Sequence, residues 1–590
     1  MRRVQFGPMP AGSAVAALVA GLGATLLASL ALPGNPIGPV QPATVPAAHP
    51  SALPATPASA SPANSSASPS PAVATPGDWG DPYRGCTLNR AMPKRQFRAM
   101  WIASVLNIDW PSRRGLEPSR QRAEFIRHLE RAKKFGLNAV VVQVRPAADA
   151  FWPSKYEPWS AYLSGSQGRS PGYDPMAFMV AEAHKRNLEF HAWYNPYRAA
   201  LQADRERLAA SHPARRHPDW TVVHDGKIYY NPGLPHVRRF VEDAVLDSVR
   251  RYDVDGVHFD DYFYPYPGSK NVRFDDAATY RRYGKGFRDL AAWRRNNINL
   301  LVQETSARVH ALKPWVRFGI SPFGIWRNRS TDPAGSDTRG LQAYDVLHAD
   351  TRTWVRKGWV DYIVPQLYWP LGFAPADYAK LTDWWSRQVA GTRVRLYVGQ
   401  ALYRVGEPGA WSDGAELTRH LAVNRRHPGV SGDVFYSAKY VLSDPRSAMQ
   451  RVSSTHYLRP ALTPAMVPAA GAPPVPAAPG SPAVTRAERG TRLRWRPSER
   501  AVGYVVYRFG GDQRPEPCAF ADAYHLVGVV GAEPTWVDAT ADPARSYGYA
   551  ITALDRYGRE GEPSTVTAVS SAEAGAAAAP TDGTRAARMG

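Results

Sequence analysis

Between residues 97 and about 455, short apolar runs alternate with amphipathic stretches. The runs are RAMWIASVLN, NAVVVQVRP, LEFHAWYNPYR, DGVHFDDYFY, VRFGISPFG, DYIVPQLYW, VRLYVGQALY and GDVFYSAKY, each of strand length and rich in β-branched or aromatic residues. Between the third and fourth runs, Val237, Phe240, Val241, Ala244, Val245, Ser248, Val249 and Tyr252 follow the helical period. Pro235 stands near the first helical position, where a missing N–H costs nothing. Ile126, Leu129, Ala132 and Phe135 repeat the pattern after the first run, closed by Gly136. Eight strand and helix units in about 350 residues predict a (β/α)8 barrel with long loops. The texture changes near residue 483. There TRLRWRP, AVGYVVYRFG, HLVGVVG, PTWVDATA, SYGYAITALDRYG and STVTAVSS are short, alternating and separated by turn residues, as in a small all-β sandwich.

Outside these patterns the chain reads as connection. From Pro33 to Pro76 it is Pro, Ala, Ser and Thr, with no charged residue between Arg3 and Asp78, and such a composition buries no core. A second Pro/Ala stretch runs from Leu462 to Pro482, and an Ala-rich one follows Ser570. Arg2 and Arg3 precede an uncharged stretch, Ala11 to Leu32, with Ser29 and Ala31 placed as a cleavage site requires. This is an export signal, or, left uncleaved, a membrane anchor, because about 20 apolar residues span a bilayer. No Cys ends it, so lipid attachment is not expected. The expected organisation is a signal peptide or signal anchor over 1–32, a linker over 33–78, the barrel over 79–460, a linker over 461–482, the sandwich over 483–570 and a tail over 571–590.

Lys and Arg number 72 against 51 Asp and Glu, a formal net charge of +21, which calls for a polyanionic neighbour. Export removes cytosolic nucleic acid from the candidates and leaves acidic glycan or anionic lipid. The 18 Trp and 29 Tyr favour the glycan, since aromatic rings stack on sugar faces. Only two cysteines, Cys86 and Cys518, exclude a disulfide scaffold and any Cys-based zinc site. His184, His191, His217, His224, His236 and His258 lack close metal-ligand spacing, so neither metal nor cofactor is expected.

A barrel works at the C-terminal ends of its strands. Here those ends carry Gln143, Arg145 and Asp149; Trp193, Asn195, Tyr197 and Arg198; Asp260, Asp261, Tyr262 and Tyr264; Trp326 and Arg327; Gln366, Tyr368 and Trp369; and Tyr403. Aromatic, amide and guanidinium groups on one rim suit a saccharide cleft. In VDGVHFDDYFY the period of two puts His258, Asp260 and Tyr262 on one strand face and Phe259 and Asp261 on the other. The order Gly-Val-His-Phe-Asp resembles strand four of amylase-type barrels, whose closing Asp is a nucleophile. It departs from the family 18 chitinase pattern, in which Tyr262 would be Glu. Glycoside hydrolysis needs two carboxyl groups, and neighbours on opposite faces would not flank one bond, so the partner acid is expected from another loop. Asp149 is the first choice, and Asp275 or Asp276 the second. Arg145, Arg198 and Arg327 are candidates for reading substrate carboxylates.

The stretches RAMWIASVLNIDWPS, QVRPAADAFWPSKYEPWS, PGYDPMAFMVAEAHKRNLEFHAWYNPYR, DGVHFDDYFYPYPG, WRRNNIN, GISPFGIWRNRSTDPAGSDTRG and DYIVPQLYWP resemble glycosyl-hydrolase-like family ten, which includes divisome-localised glycosyl hydrolases of the bacterial cell envelope. The resemblance covers 97 to about 455. It implies a barrel enzyme that cuts peptidoglycan glycan strands, preferably denuded of stem peptides, with Asp260 and Asp261 as active-site residues and Asn195, Tyr197, Arg198, Gln366, Tyr368 and Trp369 as cleft residues. Septal cell-wall proteins are candidate partners, and the site is the periplasm or cell envelope. Trp495, Tyr504, Tyr507, Tyr547 and Tyr549 look like fibronectin type III core and corner positions. The alternatives are a non-catalytic septal glycan-binding protein and a hydrolase of another exported polysaccharide.

Overall fold

The computed structural model describes residues 86–571, apart from 88, 269–271, 467–471 and 512–514. The expected export segment, the linker over 33–78 and residues 572–590 of the tail lie outside the described residues. Eight strands close a barrel: β1 (Phe97–Ile102), β2 (Ala139–Arg145), β3 (Glu189–Tyr194), β4 (Gly256–Phe259), β5 (Arg317–Ile320), β6 (Tyr362–Ile363), β7 (Arg395–Gln400) and β8 (Val430–Phe435). Each pairs in parallel with its sequence neighbours, and β8 closes on β1. The helices α1 (Pro118–Lys134), α2 (Pro175–His184), α3 (Pro235–Arg251), α4 (Leu290–Leu312), α5 (Thr351–Lys357), α6 (Tyr378–Val389), α7 (Glu416–Arg426) and α8 (Ala448–His456) follow the strands in turn. Pro118, Pro175 and Pro235 begin the first three, while the side chains of Asp174, Asp289, Asp350 and Asp377 accept backbone N–H groups at the starts of α2, α4, α5 and α6. Among the described residues no helix is long and apolar enough to cross a membrane.

The strand period separates two cores. Val140, Val142, Phe190, Val257, Phe259, Phe318, Ile320, Leu396 and Val398 turn outward against the helices. Phe97, Ala99, Trp101, Val141, Trp193, Tyr362, Val364, Tyr397 and Val434 turn inward and fill the axis. Glycine makes room for the largest of them: a Cβ on Gly256 would lie 2.2 Å from His191 Nδ1, and one on Gly319 would lie 2.1 Å from the Tyr362 ring. In that space the Tyr362 hydroxyl lies 2.9 Å from His191 Nδ1 and 3.1 Å from His258 Nδ1, and His258 Nε2 lies 2.9 Å from Ser321 Oγ and receives the Trp101 indole N–H at 3.3 Å. Burial, reinforced by His191, keeps His258 neutral.

Beyond the barrel, β9 (Ala483–Arg486), β10 (Thr491–Arg494) and β13 (Thr535–Asp538) form one antiparallel sheet. A second contains β11 (Gly503–Gly510), β12 (Leu526–Val530), β14 (Tyr547–Leu554) and β15 (Thr567–Val569), in the order β12-β11-β14-β15. Leu493, Trp495, Tyr504, Val506, Tyr549 and Ile551 pack between the sheets. The other face of the second sheet, with Val505, Tyr507 and Phe509, is covered by Phe520, Ala521 and Leu462.

This two-sheet unit is docked on the N-terminal pole of the barrel. Lys94 Nζ lies 2.6 Å from Glu560, Arg95 donates to Gly558 O at 2.8 Å, Asn187 donates to Val529 O at 3.0 Å and Arg556 pairs with Asp253 at 2.7 Å. The barrel members of these pairs precede β1, β3 and β4. The linker expected over 461–482 is not loose at its start: Leu462 N donates to Lys94 O at 2.9 Å, Gln96 N donates to Leu462 O at 2.8 Å, and the Leu462 side chain is buried under the second sheet. An apolar residue inside a Pro/Ala run was the sign of that anchorage. The two cysteines form one disulfide, Cys86–Cys518, across a sequence separation of 432, which no local spacing signals. Closing so long a loop restricts the unfolded chain, so Cys518→Ser should lose on the order of 2–5 kcal/mol in urea unfolding, and dithiothreitol should destabilise the wild type but not the variant.

Candidate active site

Asp260 and Asp261 follow Phe259, the last residue of β4, at the mouth of the barrel. Asp260 continues the inward line of Gly256 and His258. Asp261, expected on the opposite face, does not leave the mouth, because the strand ends at Phe259 and its alternation ends there too. Asp260 Oδ2 accepts the Trp193 indole N–H at 3.1 Å and the Asn195 amide, and its Oδ1 accepts Tyr262 N at 3.2 Å. Asn195 is oriented in turn: Gln143 Nε2 donates to its Oδ1 at 2.6 Å, while Gln143 Oε1 accepts Ser104 N at 3.0 Å and Val105 N at 2.8 Å. Residues from the ends of β1, β2 and β3 thus converge to aim one carboxylate. Asp261 accepts from the Tyr266 hydroxyl and from Gln366, whose Nε2 also donates to Ser321 O at 3.0 Å.

Burial disfavours charge on both carboxyls. Asp260 is pushed up to about 7 by burial and then by the negative charge of Asp261, against the pull of Arg198. Asp261 is raised by burial, opposed by its bonds to Tyr266 and Gln366. Asp260 therefore favours its protonated form at pH values below about 7. Arg198 is held with its guanidinium 5.0 Å from the Tyr262 ring centre and its Nε donating to Pro146 O at 3.0 Å.

Half-buried rings surround the pair: Tyr262, Tyr266, Tyr368, Trp369, Tyr403 and Tyr436. Tyr368, Tyr403 and Tyr436 touch one another at 5.7, 6.0 and 6.3 Å, and Tyr262 meets Tyr266 at 5.4 Å. Tyr266 and Tyr436 were not among the expected site residues. Tyr436 was legible as the next inward position after Gly432 and Val434, whereas Tyr266 reaches the site through a loop with no period.

Several expected rim residues are engaged elsewhere. Arg145 is fully buried, with its Nη2 2.5 Å from Glu157 and its Nη1 donating to Asn195 O, so it braces the β3 end and is not available to a substrate carboxylate. Arg327 is paired with Asp345 at 2.7 Å and Asp332 at 3.1 Å. Trp326 is covered by Arg352, 4.5 Å from its ring centre, and stacks on Trp384. Tyr197 is buried, and the charges acting on it, Arg238, Glu242 and Glu304, belong to α3 and α4, which places it outside the sheet. Tyr264 packs against Phe274 and His348.

Asp149, the first choice for partner acid, is buried in the β2–α2 loop and bonded to Gln167 at 3.2 Å and to Ser160; burial pushes it to about 7, and none of its bonds reaches the pair. Asp276 is held by Arg294 at 2.6 Å, and with Asp275 it lines a separate depression of about 630 Å³ beyond Tyr266. Among the described residues no group of three or more His, Cys, Asp or Glu side chains is placed to hold a metal ion.

The raised Asp260 subtracts stability as pH climbs from its unfolded value through about 7, and subtracts none below it. Asp260→Asn should therefore melt higher than wild type at pH 8, with the gain shrinking towards pH 4, while its turnover falls on the order of 10³-fold. Asn195→Ala leaves both acids in place but frees Asp260 to turn, and should cost on the order of 10²-fold in kcat with a smaller change in KM.

The profile of the family described as Glycosyl hydrolase-like 10 matches residues 96–414. The glycosyl hydrolase YngK of Bacillus subtilis (strain 168) is 44% identical over 489 residues, covering 81% of this chain and 94% of that protein. The glycosyl hydrolase DigH of Escherichia coli (strain K12) is 42% identical over 368 residues, covering 58% of this chain and 83% of that protein. Among solved structures, the glycoside hydrolase domain of PgaB (BpsB) from Bordetella bronchiseptica aligns with a TM-score of 0.43 at 14% identity, covering 61% of this chain and 99% of that one. The family profile spans more than half the chain, from β1 through β7 and across the acid pair, and one relative is 44% identical over 81% of the chain, so the protein belongs to the glycosyl hydrolase-like 10 family.

Proposed function

We propose that this protein is an exported glycoside hydrolase that cuts the glycan strands of peptidoglycan, those already stripped of stem peptides, during wall remodelling or daughter-cell separation. The observation that carries the reading is the buried carboxyl pair, Asp260 and Asp261, at the centre of an aromatic-walled mouth. Hydrolysis of a glycosidic bond needs a proton for the leaving oxygen and a negative charge near the anomeric carbon as positive charge develops there. Asp260, the carboxyl pushed to about 7, supplies the proton. Asp261, raised by burial but the one of the two whose charge the Tyr266 hydroxyl and Gln366 favour, supplies the charge once Asp260 holds the proton. The surrounding rings stack on the sugar faces and exclude water, which strengthens both effects.

The choice of glycan rests on charge. Removing stem peptides leaves a lactyl carboxylate on each muramic acid, so a denuded strand is a polyanion, attractive to a chain of net charge +21. With Arg145 and Arg327 already paired, Arg198 is the cation that meets such a carboxylate beside the acids. Export is supported by the Cys86–Cys518 disulfide, a bond that endures in oxidising compartments, as well as by the apolar segment after Arg3.

The test is digestion of amidase-treated sacculi in ¹⁸O water followed by mass spectrometry. Shortened strands with ¹⁸O at the new reducing ends are expected from wild type and none from Asp260→Asn, with the rate falling as pH rises past about 7. Strands left at full length by the wild-type protein, whether or not it binds them, would sink the reading.

A further inference from the structure

The outer face of the β9–β10–β13 sheet carries a row of cations. Along β10 and just past its end, burial alternates: Thr491, Leu493 and Trp495 turn into the sandwich, while Arg492, Arg494 and Arg496 turn out. Successive outward positions on a strand are about 7 Å apart, so the three side chains spring from a line about 14 Å long. The cross-strand neighbours of Arg492 and Arg494 are short and uncharged: Thr485 and Val537 flank Arg492, and Ala483 and Thr535 flank Arg494, so the paired strands supply these two with no counter-ion. None of the three guanidinium groups takes part in an ion pair or a hydrogen bond among the described residues, whereas Arg145, Arg238, Arg308, Arg317 and Arg327 of the barrel are all paired.

The row is a segregation of charge, since the unit that bears it is not basic. Residues 483–570 hold eleven arginines and eleven acidic residues, yet from 483 to 500 six arginines stand against Glu488 and Glu499 alone. Like charges set side by side on an exposed strand repel one another and weaken the sheet. Relief comes from a ligand that brings anions in a line. Guanidinium groups grip carboxylates through paired N–H donors, and a row of them fits a chain with repeated acidic groups better than a single small anion. A membrane surface fits poorly, because the face presents Thr, Ala and a half-buried Val537 between the arginines and no large apolar side chain to insert.

We propose that this face is a second, non-catalytic attachment site for a linear glycan bearing carboxylates. The two-sheet unit sits on the barrel pole opposite Asp260, so the strand held there is not the bond being cut. Attachment keeps the mouth within reach of the polymer and raises its effective concentration. The identity of the polymer as denuded peptidoglycan strand rests on the function proposed above; the cationic row does not.

The test uses the full chain carrying Asp260→Asn, with and without the triple change Arg492→Ser, Arg494→Ser, Arg496→Ser. The probes are amidase-treated glycan strands, hyaluronate as a second carboxylated polysaccharide, uncharged chitin hexasaccharide and phosphatidylglycerol vesicles. The triple variant should lose tenfold or more in affinity for both carboxylated polymers and show a flatter dependence on NaCl, with its melting temperature and hexasaccharide binding unchanged. In an otherwise wild-type background it should cut short soluble strands at the normal rate and intact sacculi more slowly. Unchanged affinity and salt dependence in the triple variant would overturn the proposal, as would vesicle binding that depends on the row while glycan binding does not. Row-dependent polymer binding without any cleavage by wild type would uphold the attachment site and remove the hydrolase.

Discussion

A closed barrel must fill its own axis, and in this protein the filling is hydrogen-bonded. Tyr362 and His191 occupy the axis because Gly256 and Gly319 leave them the room, and the Tyr362 hydroxyl then ties His191 to His258. His258 reaches Ser321 and Trp101, at the level on which the mouth begins. A purely apolar plug would fill the space as well but would fix nothing rotationally. The polar column locks ring orientations from the N-terminal pole upward, and the layer above it, where Trp193 and Asn195 point at Asp260, is built on that footing.

On this footing the mouth can tolerate two adjacent carboxyls. Unpaired in a dry site, they would cost several kcal/mol or take up protons. Here each is met by oriented donors, and one guanidinium, Arg198, attracts both without forming a tight pair with either. The outcome is a balance: enough donors to hold the side chains still, too little positive charge to hold both anionic at neutral pH. Arg145 shows the other choice, since complete pairing with Glu157 makes it a strut instead of a reagent.

The barrel was legible because its pattern is carried by every strand: eight apolar runs and their helices survive any local irregularity. Asp260 was legible for the same reason, lying on the inward line of β4. What the period could not reach is the loop beyond a strand end. Asp261 and Tyr266 take their positions from where β4 stops, and Arg145 and Arg327 are claimed by acids 12 and 18 residues further on, in loops whose return path no spacing encodes. A rim of polar residue types was visible in the sequence, but not which of them were already spoken for. The two-sheet unit was visible as short alternating runs, while its docking was not, since that depends on single contacts such as Lys94 with Glu560.

The bridge between Cys86 and Cys518 also alters how the molecule bears load. Tension applied between residue 86 and residue 571 has a covalent path through the two sulfur atoms into the two-sheet unit. The whole barrel lies within the loop that this bond closes, so it is mechanically short-circuited. A pull applied at those two residues would pass the barrel by, and the geometry around Asp260 would stay unloaded.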